Sequence, residues 1–401
     1  MTRLNMSCTG VLFLISFCLT GPLAAQTASI SVAPASLDVS LGQTFDVTVR
    51  IDNAYLLHGS SVKVGFDATL VELVTITDGT VYPSVQANPI FWWRPEGALH
   101  HDTVLVDQAI LGTSVFSGSG VLFTMRFTAV KGGVSALSLL RVDPRNNQNQ
   151  IMPHVVSHGQ VRIRPLSVNV KAMLQGPYVA GSMATTLHTM GVLPPSHPYA
   201  GSPWAHTGSE SVSPVPAGIV DWVLVELRTG AAGSTKAGMR AAFIRNDGAV
   251  VDLDAISPVG FPGLSAGSYY VVLRHRNHLA IMSANPLALN SSSVLYDFTT
   301  GADKVTGGDL KDLGSGMYGM WTGDVNANGI VKYNGGGNDR LAVLTRIGGM
   351  DVNATVSDYY PEDVNLNGMV KYNGGGNDRL TILQVIGGTN INATRSTRVP
   401  D

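Results

Sequence analysis

Thr44-Phe45-Asp46-Val47-Thr48-Val49-Arg50-Ile51-Asp52-Asn53 alternates apolar and polar side chains residue by residue. On an extended chain Phe45, Val47, Val49 and Ile51 fall on one side and Asp46, Thr48 and Arg50 on the other, the period of a strand with one buried face. Val121, Phe123, Met125, Phe127 and Ala129 repeat the pattern, with Thr124, Arg126 and Thr128 outward. Gly, Asn, Asp and Pro clusters separate such runs, as at Asp52-Asn53 and Lys131-Gly132-Gly133. Many short strands at this spacing predict an antiparallel sandwich or jelly roll over residues 27–165, and a mainly β chain overall.

Around that core the composition narrows the function classes. Charged residues are 13% of the 401, hydrophobic residues 44%, and the formal net charge is −2. Such hydrophobic content supports packed cores and excludes wholesale disorder. With so little positive charge there is no footprint for neutralising phosphates, so nucleic acid is not an expected partner.

The N-terminus reads as an export signal over residues 1–25. Arg3 supplies a positive start, Val11 to Thr20 a short apolar run, and Leu23-Ala24-Ala25 a small-residue cleavage site before Gln26. The run is too short to span a bilayer, and no integral membrane segment follows. Cys8 and Cys18 both leave with this peptide, and Phe17 is too bulky for a lipid-attachment motif at Cys18. The mature chain is then secreted or extracellular, in one variant cell-surface associated, and free of disulfides. It must hold itself by core burial, bound metal or both.

Within the first segment, 30–53 (ISVAPASLDVSLGQTFDVTVRIDN), 60–74 (SSVKVGFDATLVELV), 117–130 (SGSGVLFTMRFTAV) and 159–164 (GQVRIR) together resemble a cohesin domain. The landmarks are Gly42, Phe66-Asp67 and Gly118–Gly120. The resemblance implies a nine-stranded jelly roll that captures dockerin modules in bacterial extracellular complexes. Carbohydrate-binding sandwiches share the landmarks, and fold alone does not fix function.

Residues 166–322 form a second β-rich, sandwich-like segment. Val220 to Leu227 and Tyr269 to Leu273 are apolar on both faces, as central strands are. Prolines at 194, 195, 198, 203, 214 and 216 mark a long irregular excursion. The stretches 174–178 (LQGPY), 221–228 (DWVLVELR) and 274–283 (RHRNHLAIMS) resemble a module of secreted bacterial proteins often found ahead of dockerin-like repeats.

From Gly323 the chain repeats itself: Asp324–Gly349 and Asp363–Gly388 align without gaps at a period of 39 residues, with 20 of 26 positions identical. Each copy opens with oxygen ligands at alternate positions, Asp324, Asn326 and Asn328 before Gly329, and Asp363, Asn365 and Asn367 before Gly368. Calcium loops of the EF-hand type place ligands at positions 1, 3 and 5, a glycine at 6 and a main-chain carbonyl at 7, here Ile330 and Met369. Val331 and Val370 follow, where an apolar residue can pair the two loops through a short strand. Position 12, normally the last acidic ligand, is Gly335 or Gly374, and the acid arrives four residues late as Asp339 or Asp378. Lys332 and Lys371 stand at position 9. The glycines of the insert can loop out and let the late aspartate close the site. The opposing reading is a metal-free repeat in which the Asn side chains cap turns. Helices are predicted from Asp339 and Asp378, with apolar stripes Leu341, Leu344, Ile347 and Leu380, Leu383, Ile386, ending at Gly348 and Gly387. No helix precedes either loop. Loop then helix, duplicated over residues 323–389 and followed by a tail at 390–401, resembles a small α-helical dockerin domain. The resemblance implies two calcium ions and a cohesin-type partner. With two formal charges per loop, the expected Kd is on the order of 10⁻⁴–10⁻³ M.

Other polar clusters read as structural. His275 and His278 diverge on a strand unless a turn at Asn277 reunites them, and a polar strand-end network is the expectation over catalysis. His100-His101-Asp102 reads as a loop, and Phe91-Trp92-Trp93 as core and rim packing before a sugar-stacking platform. No Gly-x-Ser-x-Gly nucleophile elbow occurs. The expectation is a non-enzymatic, secreted scaffold or adhesion protein for calcium-dependent cohesin–dockerin-type assembly, with polysaccharide as a further partner. The alternatives are a carbohydrate-binding surface adhesin, or an enzyme with its site in residues 166–322.

Overall fold

The computed structural model describes residues 27–96 and 102–401. The export signal with Cys8 and Cys18, and His100 and His101, lie outside the described residues. Ten strands build the first domain: β1 (Ala28–Ala33), β2 (Ser36–Ser40), β3 (Thr44–Gly65), β4 (Val71–Asp78), β5 (Ile90–Glu96), β6 (Thr103–Ala109), β7 (Phe116–Ala129), β8 (Gly133–Asn146), β9 (His154–Ser157) and β10 (Gly159–Arg164). The alternating stretch quoted above is the first half of β3. That half pairs with β1 and β7; past Leu57 the same strand pairs with β6 and β8. Bulges between Ile51 and Leu57, with Asn53 and Leu56 at φ +57° and +59°, turn the strand from one sheet to the other. The two layers are therefore β9-β1-β3-β7-β4 and β2-β10-β8-β3-β6-β5. Val47, Val49, Ile51, Val62, Val64, Phe123, Met125 and Phe127 are at most 1% exposed between them. The pairings are antiparallel except β1 with β9 and β2 with β10, which run parallel.

The second domain is not a sandwich of two matched sheets. One eight-stranded sheet is centred on the strand Ile219–Arg228, with Lys236–Arg245 and Gly267–Arg274 on either side of it. All ten residues of the central strand are buried. The proline-rich excursion does the covering that a second sheet would do. Tyr199 donates its hydroxyl to the Trp222 carbonyl at 2.7 Å, and the Trp222 indole N–H meets the Pro194 carbonyl at 2.9 Å. A one-turn helix α1 (Thr186–Thr189) precedes the excursion and buries Leu187.

Two eight-residue helices follow in the repeats, α2 (Asp339–Arg346) and α3 (Asp378–Val385). Asn338 and Asn377 cap their N-termini, accepting from the Leu341 and Leu380 amides at 2.9 and 2.8 Å. The buried faces differ from the expected stripes. Val343, Ile347, Ile382, Val385 and Ile386 form the core, while Leu341 is 53% and Leu380 46% exposed. Both leucines sit in the first turn, where the loop and not the facing helix is the neighbour. Val331 and Val370 are buried, but their strands do not pair with each other. The strand Thr355–Val356 pairs with Val370–Lys371, and Thr394–Ser396 with Ile330–Lys332, so the segment trailing each helix closes onto the other repeat's loop. Residues 390–401 are thus not a free tail. Val399 is buried, and the Pro400 carbonyl accepts from Arg228.

Candidate functional site

In the first loop the Asp324 carboxylate accepts from the amides of Asn328 and Gly329, both at 3.0 Å. The late Asp339 accepts from Val325 at 3.0 Å and Lys332 at 2.7 Å, which are loop positions 2 and 9. Asn326 donates its amide to the Gly337 carbonyl, and the Asn328 side-chain oxygen accepts from Ile330. The second loop repeats this set: Asp363 with Asn367 and Gly368, Asp378 with Val364 and Lys371, Asn365 with Gly376, Asn367 with Met369. Gly335 and Gly337, at φ +85° and +65°, carry the insert out of the loop, a conformation that glycine adopts without cost. Asp339 and Asp378 are fully buried. Burial first, and for the late aspartates the neighbouring carboxylate as well, pushes Asp324 and Asp363 up to about 6 and Asp339 and Asp378 to about 7. Among the described residues none of the four makes an ion pair, although the Arg276 charge offsets part of the rise at Asp363, so each loop encloses two carboxylates with oxygen atoms around them.

A second surface lies on the sandwich. On the layer β8-β3-β6-β5, Trp92 pairs across to Asp107 and Asp107 to Ser61, while Arg94 faces Leu105 and Leu105 faces Lys63. Glu96 draws Lys63 at 3.2 Å and Arg94 at 2.8 Å. Leu140 and Val134 on β8 are each 57% exposed. This sheet face is open, mixed in charge and studded with apolar side chains. Phe91 and Trp93 pack toward the core, whereas Trp92 is 48% exposed with the Arg94 guanidinium 5.2 Å above its ring.

Residues 30–163 match the Cohesin domain family. A cohesin domain is a non-catalytic interaction module, and the match leaves the rest of the chain unassigned. Solved structures similar to this chain include a non-cellulosomal cohesin from the archaeon Archaeoglobus fulgidus, with 20% identity, 34% of this chain and 91% of that one covered, and a TM-score of 0.29. The sixth cohesin of scaffoldin B from Acetivibrio cellulolyticus, solved with a mutant dockerin, has 17% identity, 34% and 99% coverage and a TM-score of 0.30. A type I cohesin–dockerin complex from Clostridium thermocellum has 19% identity, 34% and 99% coverage and a TM-score of 0.29. Comparison with curated proteins finds no match.

Elsewhere the polar clusters bond among themselves. The strand ends at Arg274, and a turn brings His275 and His278 together, Nδ1 to Nδ1 at 3.0 Å. His275 Nε2 meets Asp221 at 3.1 Å, Arg276 meets the same oxygen at 2.9 Å, and the Tyr359 hydroxyl donates to the other. Burial pushes Asp221 upward, but Arg276 and then His275 outweigh it and hold the carboxyl at about 2. Burial keeps both histidines below their ordinary range, hence neutral. The sequence reading missed His197, His206 and Glu210, whose ligand-type atoms lie within 4.8 Å of one another. They do not fit a metal: the Tyr199 amide occupies His197 Nδ1, so the ring proton sits on Nε2 and is donated to the Gly208 carbonyl at 2.9 Å. No lone pair remains on His197 for a cation.

Proposed function

We propose that this chain is a secreted, non-catalytic assembly protein. Its cohesin sandwich presents the β8-β3-β6-β5 face to a dockerin-type partner, and its duplicated loop–helix pair is a dockerin-like module that takes two calcium ions and engages a cohesin-type partner. The observation that carries the reading is the cohesin match over residues 30–163, on a sandwich whose β8-β3-β6-β5 layer exposes Trp92, Val134 and Leu140. A chain with both halves joins others head to tail, a heterologous contact that builds open chains unless it closes.

Calcium is favoured by the chemistry of the loop donors. Two buried carboxylates without ion-pair partners are costly, and a hard divalent cation that accepts six to eight oxygens removes that cost. Asp324, Asn326, Asn328, Asp339 and the Ile330 carbonyl would hold one ion, and Asp363, Asn365, Asn367, Asp378 and the Met369 carbonyl the other. Sulfur ligands are lacking in both sets, which disfavours zinc or copper. Calorimetric titration of the full-length chain should find two calcium equivalents, reduced to one by Asp324→Ala. A titration without heat, and a melting curve unmoved by calcium, would leave only the capped-turn reading. Polysaccharide stays in this proposal through Trp92, an exposed indole beside Arg94 on the same face.

A further inference from the structure

Residues 166–322 have no part in that assembly reading, yet they hold the loop–helix pair at several points, the most densely bonded of them at Arg276–Leu279. After Arg274 the chain turns into the space between the starts of the two loops. The Asn277 carbonyl accepts from Gly323 at 2.9 Å and Asp324 at 3.2 Å, where the first loop begins. Its side-chain amide donates to the carbonyls of Pro361 at 2.9 Å and Asp363 at 2.8 Å, where the second begins. One fully buried residue thus bridges position 1 of both loops.

The neighbours of Asn277 complete a hook. Arg276, held by Asp221, donates to the Tyr360 carbonyl and lies over the Tyr359 ring at 4.2 Å. The Leu279 amide donates to Trp321 at 2.8 Å, and its side chain, 3% exposed, belongs to the loop–helix core with Val325, Val331 and Val364. In exchange Leu366 of the second loop is buried in the core of the middle domain. The backbones meet closely: a Cβ on Gly176 would stand 2.3 Å from the Val364 carbonyl.

We propose that the middle domain is a built-in docking partner for the duplicated loops, and that Arg276–Leu279 replaces the entering helix each loop lacks. A full EF-hand brackets its loop with two helices. Here each loop has only an exiting helix of eight residues, below the ~12–15 at which a helix persists alone in water. The hook supplies fixed main-chain partners to the lead-in of both loops at once, independently of what the loops bind.

Hydrogen exchange read by mass spectrometry on the full-length chain, in calcium and in chelator, tests this. Asn277→Ala removes the side-chain half of the bridge, the amide bonds to Pro361 and Asp363, and keeps the carbonyl that accepts from Gly323 and Asp324. Gly176→Ala, at a backbone conformation alanine adopts, wedges the second loop off while leaving the central strand Ile219–Arg228 alone. Both substitutions should speed exchange at Val364, Asn367 and Gly368 by about tenfold or more, with a smaller change at Val325, Asn328 and Gly329, whose lead-in keeps the residue 277 carbonyl. The strand Ile219–Arg228 and the sandwich should keep their protection, and the effect should appear in both solutions. Unchanged loops in both variants would overturn the proposal. So would loosening seen only in chelator, since the ions and not the hook would then fix the loops. If Asn277→Ala unfolds the middle domain, Gly176→Ala decides alone.

Discussion

Asp339 and Asp378 stand four residues beyond the place that loop counting assigns to the last ligand, and each is buried against its own loop. Their hydrogen bonds to loop positions 2 and 9 set the two carboxylates of each loop against one another. Folded values of about 6 and 7 lie above the ordinary 3.8, so the metal-free loops bind protons on folding. That contribution is fully present below the unfolded value and is lost as pH rises through the folded ones. Without metal, the loops should therefore melt at lower temperature at about pH 8 than at about pH 5. A divalent ion reverses the sign: its binding should release protons at about pH 6.5, read by calorimetry in buffers of different ionisation enthalpy. Zero release would contradict the paired-carboxylate geometry. Asp221 is the opposite case, a buried acid held ionised by Arg276 and His275. Asp221→Ala leaves Arg276 buried and unpaired, and should cost about 3–5 kcal/mol in the unfolding of the middle domain. A change below about 1 kcal/mol, in the range of an exposed ion pair, would show that the network is solvated.

At the scale of elements, the strands were legible because period-two patterning is local: β3 from Phe45 to Ile51 and β7 from Phe123 to Ala129 bury the residues that alternation selects, whereas a bulge before Phe123 buries Leu122 in place of the expected Val121. The single strand that serves both sheets was not, since the bulges at Asn53 and Leu56 depend on pairing with β7. Helix existence and glycine stops were equally plain in α2 and α3. The buried face was misjudged at Leu341 and Leu380, because a helix of barely two turns has no room for a full stripe and its first turn faces the loop. The alternate oxygen-bearing side chains of the two loops were readable from their spacing, and their binding of calcium is the proposal that titration tests. Asn277, which joins those loops to the middle domain, carries no sequence signal, because its role rests on main-chain carbonyls some 84 residues away. The caps are testable on their own. Asn338→Ala removes the acceptor for the Leu341 amide and should destabilise the loop–helix pair by about 1 kcal/mol. An unchanged melting temperature would mean that the loop, not the cap, fixes the helix start.

Over the whole molecule, two candidate binding surfaces sit at opposite ends of the sequence, with a domain between them that is bonded to the second. The sandwich touches that middle domain lightly, as where the Ser291 amide meets Ser40 at 2.8 Å. Leu140 and Trp92 project from its β8-β3-β6-β5 face, exposed among the described residues, so substitution there should leave folding intact while removing a partner. The full-length chain used as bait on a secreted-protein fraction measures this most directly, compared with the Leu140→Arg and Trp92→Ala variants. The account predicts capture of proteins bearing dockerin-type repeats by the unmodified chain, with that capture lost in the Leu140→Arg variant although its melting temperature is unchanged. Capture indifferent to both substitutions, or lacking any dockerin-bearing protein, would contradict it.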